Sequence, residues 1–85
     1  MRLIFSEVAW DEYLYWQDQD KKTLKKINAL IRDIVRNGNV GLGKPEPLKH
    51  REGYWSRRIN DADRLVYKIE SDVVKIAQCR SHYGG

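Results

Sequence analysis

The chain changes its hydrophobic period once, and that change limits what it can fold into. Up to Arg36 the apolar residues return every three or four positions; from Tyr54 onward they alternate. The first spacing suits helices with one buried face and the second suits strands, so the helices come before the main block of strands. Arg2-Leu3-Ile4-Phe5 reads as a short first strand. Ser6 is placed to cap a helix over residues 7–18, with Glu7 in its first turn, where a carboxylate suits the helix dipole. Trp10, Tyr13, Leu14 and Gln17 share one face of that helix, widened by Val8, Tyr15 and Trp16.

Asp20 can cap a second helix over residues 21–36. Leu24, Ile27, Ile31 and Ile34 form its apolar stripe, and Asn37-Gly38 ends it. A loop from Asn37 to His50 precedes strands over 54–59, 64–69 and 73–80, with Ser71-Asp72 as the last turn. The order strand–helix–helix–strand–strand–strand predicts an α+β fold. The helix pair is expected to cover one face of a mostly antiparallel sheet, leaving the other face for a ligand.

Eighty-five residues suit a single domain, taken as 1–85, and 41% hydrophobic with 33% charged residues is a globular composition. No apolar run is long enough to span a membrane, and the N-terminus meets Glu7 too early for a signal-peptide core. Cys79 is the lone cysteine, so no intrachain disulfide can form and a cytoplasmic location is expected. With one cysteine and two histidines, no zinc site of ordinary spacing can be drawn, and neither metal nor cofactor is expected. Charge is divided unevenly. Residues 1–20 hold one base and five acids, a net of −4, whereas residues 21–85 hold fifteen bases and seven acids, a net of +8. A basic body of this kind suits a polyanion such as nucleic acid.

Three stretches carry chemistry. In Lys44-Pro45-Glu46-Pro47-Leu48-Lys49-His50 the two prolines restrict the backbone and favour extended geometry before each ring. This holds the Glu46 carboxylate among Lys44, Lys49 and His50, where it can accept a proton. In the next two strands Tyr54, Ser56 and Arg58 share one face, and Trp55, Arg57 and Ile59 the other. A five-residue loop over 59–63 sets Arg58 opposite Arg64; a four-residue loop separates them onto opposite faces. Opposed arginines are unfavourable unless an anion lies between them, and phosphate matches the guanidinium fork. Finally Arg80-Ser81-His82-Tyr83 supplies a group that exchanges protons near neutral pH and a ring able to stack on a base.

These types complement one another. Cleavage of RNA by its own 2′-hydroxyl needs a base, an acid for the departing 5′-oxygen and positive charge on the phosphate. Glu46, His82 and the arginines supply all three without a metal. A basic module that blocks translation by occupancy, or one that docks a protein through its aromatic helix, would explain the charge or the aromatics but not this combination.

The segments Gly43-Lys44-Pro45-Glu46-Pro47-Leu48-Lys49-His50, Trp55-Ser56-Arg57-Arg58-Ile59, Arg64-Leu65-Val66-Tyr67 and Cys79-Arg80-Ser81-His82-Tyr83 resemble the YoeB-type (Txe-type) toxins. The likeness extends to Trp10-Asp11-Glu12-Tyr13 and Tyr15-Trp16, and so to nearly the whole chain. It implies the RelE-like α+β fold and ribosome-dependent cleavage of mRNA in the decoding site. It also implies neutralisation by a YefM-type antitoxin and a homodimer on the ribosome. By resemblance Glu46 is the general base and His82 the general acid. Arg64 stabilises the phosphate with Arg58 and Lys49, Lys44 adds to substrate binding, and Tyr83 positions the substrate. Two departures stand out: the segment His50-Arg51-Glu52-Gly53 is one residue short of the family pattern, and Gly84-Gly85 follow the His-Tyr pair.

Overall fold

A strand, two helices and four further strands follow one another in the computed structural model, which describes residues 1–80. Strand β1 (Arg2–Phe5) leads into α1 (Glu7–Gln19) and α2 (Lys21–Asn37). Then come β2 (Glu46–Pro47), β3 (Tyr54–Arg58), β4 (Arg64–Glu70) and β5 (Val73–Gln78). The sheet has the order β1-β5-β4-β3-β2. Its first pair, β1 with β5, is parallel and the other three pairs are antiparallel. This is the expected α+β architecture.

Both helix starts are capped as the sequence indicates. The Ser6 hydroxyl oxygen accepts from Ala9 N at 3.0 Å, and the same hydroxyl donates to Ala77 O at 2.9 Å, which fixes α1 to β5. Asp20 ends one helix and begins the next. Its N–H donates to Trp16 O at 2.9 Å, while its carboxylate accepts from Lys22 N and Thr23 N. Ile27, Leu30, Ile31 and Ile34 of α2 are buried against Leu65, Tyr67, Val74 and Ile76 of the sheet. Each such aliphatic side chain contributes about 1.5–3 kcal/mol by leaving water.

The structure departs from the sequence reading in four places. First, α1 packs through Ala9, Tyr13 and Trp16, leaving Trp10 48% and Leu14 39% exposed. Hydrophobicity alone gave too little weight to Ala9, whose small size lets the helix approach the sheet. Second, the loop after α2 contains β2, whose Glu46 pairs with Ser56 and whose Pro47 pairs with Trp55. Proline is tolerated there because β2 is an edge strand. Third, Lys44 precedes a proline yet has φ 51, a left-handed rather than extended backbone. Fourth, β5 stops at Gln78 instead of Arg80, because side chains of α1 take the backbone groups of Cys79. A bulge between Val66 and Tyr67 in the β4–β5 pairing leaves Ala77 as the extra residue.

Candidate functional site

Register determines which side chains meet on the sheet face away from the helices, since directly opposed residues project to the same side. The β3–β4 hairpin has the five-residue loop, and Arg58 lies opposite Arg64. The neighbouring row runs Glu46, Ser56, Val66 and Gln78 across β2, β3, β4 and β5. Glu46 is thus a diagonal neighbour of Arg58, at the roughly 7–8 Å spacing of such pairs. A third row carries Tyr54, Lys68 and Lys75.

The two arginines live in different surroundings. Arg58 is exposed, whereas Arg64 is only 8% exposed. The Arg64 Nη1 donates to the carbonyls of Asn60 (2.7 Å), Asp63 (3.1 Å) and Asp61 (3.3 Å). Among the described residues its Nε and Nη2 have no acceptor. The Asn60 side chain shapes this turn by accepting from Ala62 N and Asp63 N at 2.8 and 2.7 Å. The turn carbonyls thereby offset the repulsion between the opposed arginines on the Arg64 side.

Glu46 is exposed and forms no ion pair among the described residues. Its segment is tied at both ends, by Arg58 N to Gly43 O at 2.7 Å and by Leu48 N to Tyr54 O at 2.9 Å. Gly43 is required at the first tie. It has φ 79, and a Cβ there would stand 2.9 Å from Leu30 Cδ2 and 3.1 Å from Arg58 O. Lys44 and Lys49 flank β2 on either side and are exposed, with no ion pair to Glu46. His82 and Tyr83 lie outside the described residues.

The most connected side chain is one that the sequence reading passed over. Arg57 is fully buried on the helix side of β3. It donates through Nη1 to Asp33 Oδ2 (2.5 Å) and Leu42 O (3.0 Å). Nη2 donates to Gly38 O (2.6 Å) and Val40 O (3.2 Å), and Nε to the Tyr67 hydroxyl (3.3 Å). Asp33 also accepts from Leu42 N at 3.0 Å. The Arg57 hydrogen bond, followed by that of Leu42, holds the Asp33 carboxyl below the usual aspartate value. Burial raises the Tyr67 hydroxyl above its ordinary value, partly countered by Arg57. Together these contacts fasten the 38–42 loop, from which the chain runs directly into Gly43 and Glu46. The available signal was an arginine at a core-facing position of an alternating strand, which demands buried acceptors.

A second overlooked group holds the chain where it leaves the sheet. The Glu12 carboxylate accepts from Cys79 N at 2.7 Å, and Trp16 Nε1 donates to Cys79 O at 2.8 Å. The Arg80 guanidinium lies 3.6 Å over the Tyr15 ring. Burial raises the Glu12 carboxyl above its ordinary value, against the lowering effect of hydrogen bonds from the Cys79 and Arg80 backbone. Burial likewise pushes the Cys79 thiol up to about 12. Since Gln78 belongs to the Glu46 row, the last described residues leave the sheet from that same row.

Away from this face, Leu3, Phe5, Trp10, Tyr13, Ile31 and Val35 line an apolar groove of about 570 Å³ between β1 and the helices. Among the described residues no helix is long and apolar enough to cross a membrane.

Comparison with known proteins gives a consistent result. The pattern of the family described as "YoeB-like toxin of bacterial type II toxin-antitoxin system" matches residues 5–83. The chain is 57% identical to Toxin YoeB of Escherichia coli (strain K12) over 84 residues, covering 98% of this chain and 100% of that one. Its backbone is similar to that of a YoeB/ParE toxin from Agrobacterium tumefaciens, with TM-score 0.95, 45% identity and coverage of 98% and 100%. It is also similar to chains in a YoeB dimer and a YoeB–YefM complex from Staphylococcus aureus. The TM-scores there are 0.92 and 0.90, the identities 49% and 48%, and coverage is 98% of each chain. YafQ of Escherichia coli in its DinJ complex, at 18% identity and TM-score 0.82, shares the fold.

Proposed function

Since the chain belongs to the YoeB-like toxins of bacterial type II toxin–antitoxin systems, we propose that it is an endoribonuclease that cuts messenger RNA in the ribosomal A site and so stops translation. The observation that carries this reading is the placement of Glu46, Arg58 and Arg64 in adjacent rows of the sheet face turned away from the helices. Glu46 takes the proton of the 2′-hydroxyl, and the resulting oxygen attacks the adjacent phosphorus. The bond from phosphorus to the 5′-oxygen breaks, and His82 protonates that oxygen. The products are a 2′,3′-cyclic phosphate, open to further hydrolysis, and a 5′-hydroxyl.

Charge that accumulates on the phosphate meets the exposed fork of Arg58 and the poorly hydrated edge of Arg64, where low local dielectric strengthens the contact. Lys44 and Lys49 draw in the flanking backbone, and Tyr83 orients the nucleotide at the cut. The partner that silences the site is a YefM-type antitoxin, and the active form is a homodimer; a YoeB–YefM complex and a YoeB dimer from Staphylococcus aureus support these two assignments. The apolar groove beside Trp10 suits a hydrophobic protein segment of such a partner.

Primer extension on a defined message, incubated with purified ribosomes and the protein, tests this reading beside a Glu46→Ala control. Discrete breaks that require ribosomes and disappear in the control are expected. Translation blocked without breaks would replace cleavage by occupancy.

A further inference from the structure

The last strand ends before its register requires it to. Val66 pairs with Gln78, so two further residues would set Arg80 opposite Arg64, where β4 begins. β5 stops at Gln78 instead. Helix α1 takes both backbone groups of Cys79: the Glu12 carboxylate accepts from Cys79 N at 2.7 Å, and Trp16 Nε1 donates to Cys79 O at 2.8 Å. The Cys79 side chain is fully buried, its Sγ 3.6 Å from Ala9 O. Arg80 is drawn off the sheet to Tyr15.

This anchor uses a carboxylate where burial disfavours one. Desolvation raises the Glu12 carboxyl, and the charge of Asp63 adds to the rise. Asp63 acts in the same direction on the Cys79 thiol, so its carboxylate lies close to the anchored segment. Asp63 also precedes Arg64 and receives one of the hydrogen bonds of its guanidinium. Helix α1 therefore fixes the outgoing chain at the end of the sheet where Arg64 is held. His82 follows Arg80 by two residues in the sequence and lies outside the described residues.

We propose that Glu12 is a positioning residue for the general acid: by holding Cys79 it sets the point from which the chain delivers His82 to the departing 5′-oxygen. The proposal rests on the ribonuclease reading and adds to it a residue on the helix side of the sheet. Glu12 acts through His82 and not on the substrate. Such a tether is effective because it is short. One residue of slack is roughly 3.3–3.6 Å of chain, whereas a misplacement of about 1 Å can cost on the order of 10²-fold in rate. Trp16 shares the task by fixing the carbonyl of the same peptide segment.

The test uses the full chain on ribosomes programmed with a defined message, in single turnover at saturating ribosomes. Two messages are compared, one ordinary and one with sulfur in place of the 5′-oxygen at the cut. Sulfur leaves with the electron pair of its bond to phosphorus as a stable thiolate, so it needs no proton from His82. Glu12→Ala is expected to slow cleavage of the ordinary message about 10–100-fold, part of the roughly 10²–10⁴-fold that a positioned acid supplies. It should cut the sulfur message as fast as the parent does. His82→Ala should show the same selectivity more strongly. Glu12→Gln, which keeps an oxygen for Cys79 N, should restore most of the lost rate. Trp16→Phe, which removes the donor to Cys79 O and keeps an aromatic ring, should repeat the selective loss in milder form, and it decides the matter if Glu12→Ala does not fold. Equal losses on both messages, or no loss on either, overturn the positioning role and leave the ribonuclease standing. A parent that cuts neither message removes the ribonuclease reading and this role with it.

Discussion

Arg57 and Asp33 form an ion pair across β3 and α2, and the chain that leads to Glu46 is fastened to that pair. The pair is buried on the arginine side, and every donor of the guanidinium fork faces an oxygen. Removing the arginine takes the donor from three loop carbonyls and the cation from Asp33. Arg57→Ala is expected to lose about 3–5 kcal/mol of stability in urea or guanidinium unfolding. Arg57→Lys keeps the charge but not the fork. We expect it to remain folded by circular dichroism, yet to cut more slowly at saturating ribosomes with unchanged ribosome affinity. Equal losses in affinity and turnover would mean that Arg57 supports the fold generally and does not position Glu46.

The same pair predicts the acid limb of stability. Asp33 has a lowered carboxyl in the folded chain, so its stabilisation is present above the unfolded value near 3.8 and is lost as pH falls through the folded one. Asp20 and Glu70 act in the same direction, through Thr23 and Lys75 respectively. Glu12 has the opposite sign. Its folded value is raised, so its contribution is full below 4.5 and is lost as pH climbs through the folded value. Melting curves from pH 3 to 7 should show Asp33→Asn with a flatter acid limb than the parent. Glu12→Gln, which keeps an acceptor for Cys79 N, should be relatively more stable at pH 7 than at pH 4.

Gly43→Ala places a methyl group against Leu30 and the Arg58 carbonyl, at a φ that side chains rarely adopt. A loss of about 1–2 kcal/mol from the backbone alone is expected, with the contacts adding to it. Because the Gly43 carbonyl ties β2 to Arg58, turnover should fall further than at a comparable destabilising site in α2. Parallel unfolding and single-turnover measurements on the two variants separate these effects.

Arg58 and Arg64 should also be distinguishable by kinetics. Arg64→Ala, which removes a buried and already oriented guanidinium, is expected to lower turnover by about 10²–10³-fold at saturating ribosomes. Arg58→Ala, which removes an exposed one, should mostly weaken substrate binding. Identical profiles would contradict the different surroundings described for the two.

Cys79 is fully buried with its thiol pushed up to about 12, so the native chain should resist alkylation at pH 8. Labelling by iodoacetamide, followed by mass spectrometry, is expected to proceed only as fast as the molecule opens and to accelerate in denaturant. Rapid labelling without denaturant would show that α1 does not hold the Cys79 segment.

What could be read from the sequence was whatever depends on near neighbours in the chain. The caps at Ser6 and Asp20, the stop at Gly38 and the α2 stripe follow from local chemistry and appear as expected. The facing of Arg58 and Arg64 followed from counting hairpin residues once the loop length was known. The misses are features decided across the fold. Ala9 is buried because β5 arrives beside it, Cys79 leaves the sheet because Glu12 and Trp16 claim its backbone, and Arg57 finds its acceptors in a loop fifteen or more residues away. The two-residue β2 is too short to leave a periodic signature. Its pairing is imposed by Gly43 and Leu48 on either side.

The strand order has a consequence for how the molecule is born. β5 is the neighbour of both β1 and β4, so the first strand has no partner in the sheet until residues 73–76 are available. A nascent chain can form its helix pair and its β3–β4 hairpin early, but it cannot join these halves until β5 has emerged from the tunnel of the ribosome making it. The contacts that complete the sheet are long-range, the kind that form late. A sheet closed through β1 and β5 thus keeps the two halves of the chain apart until a pairing across about seventy residues has taken place.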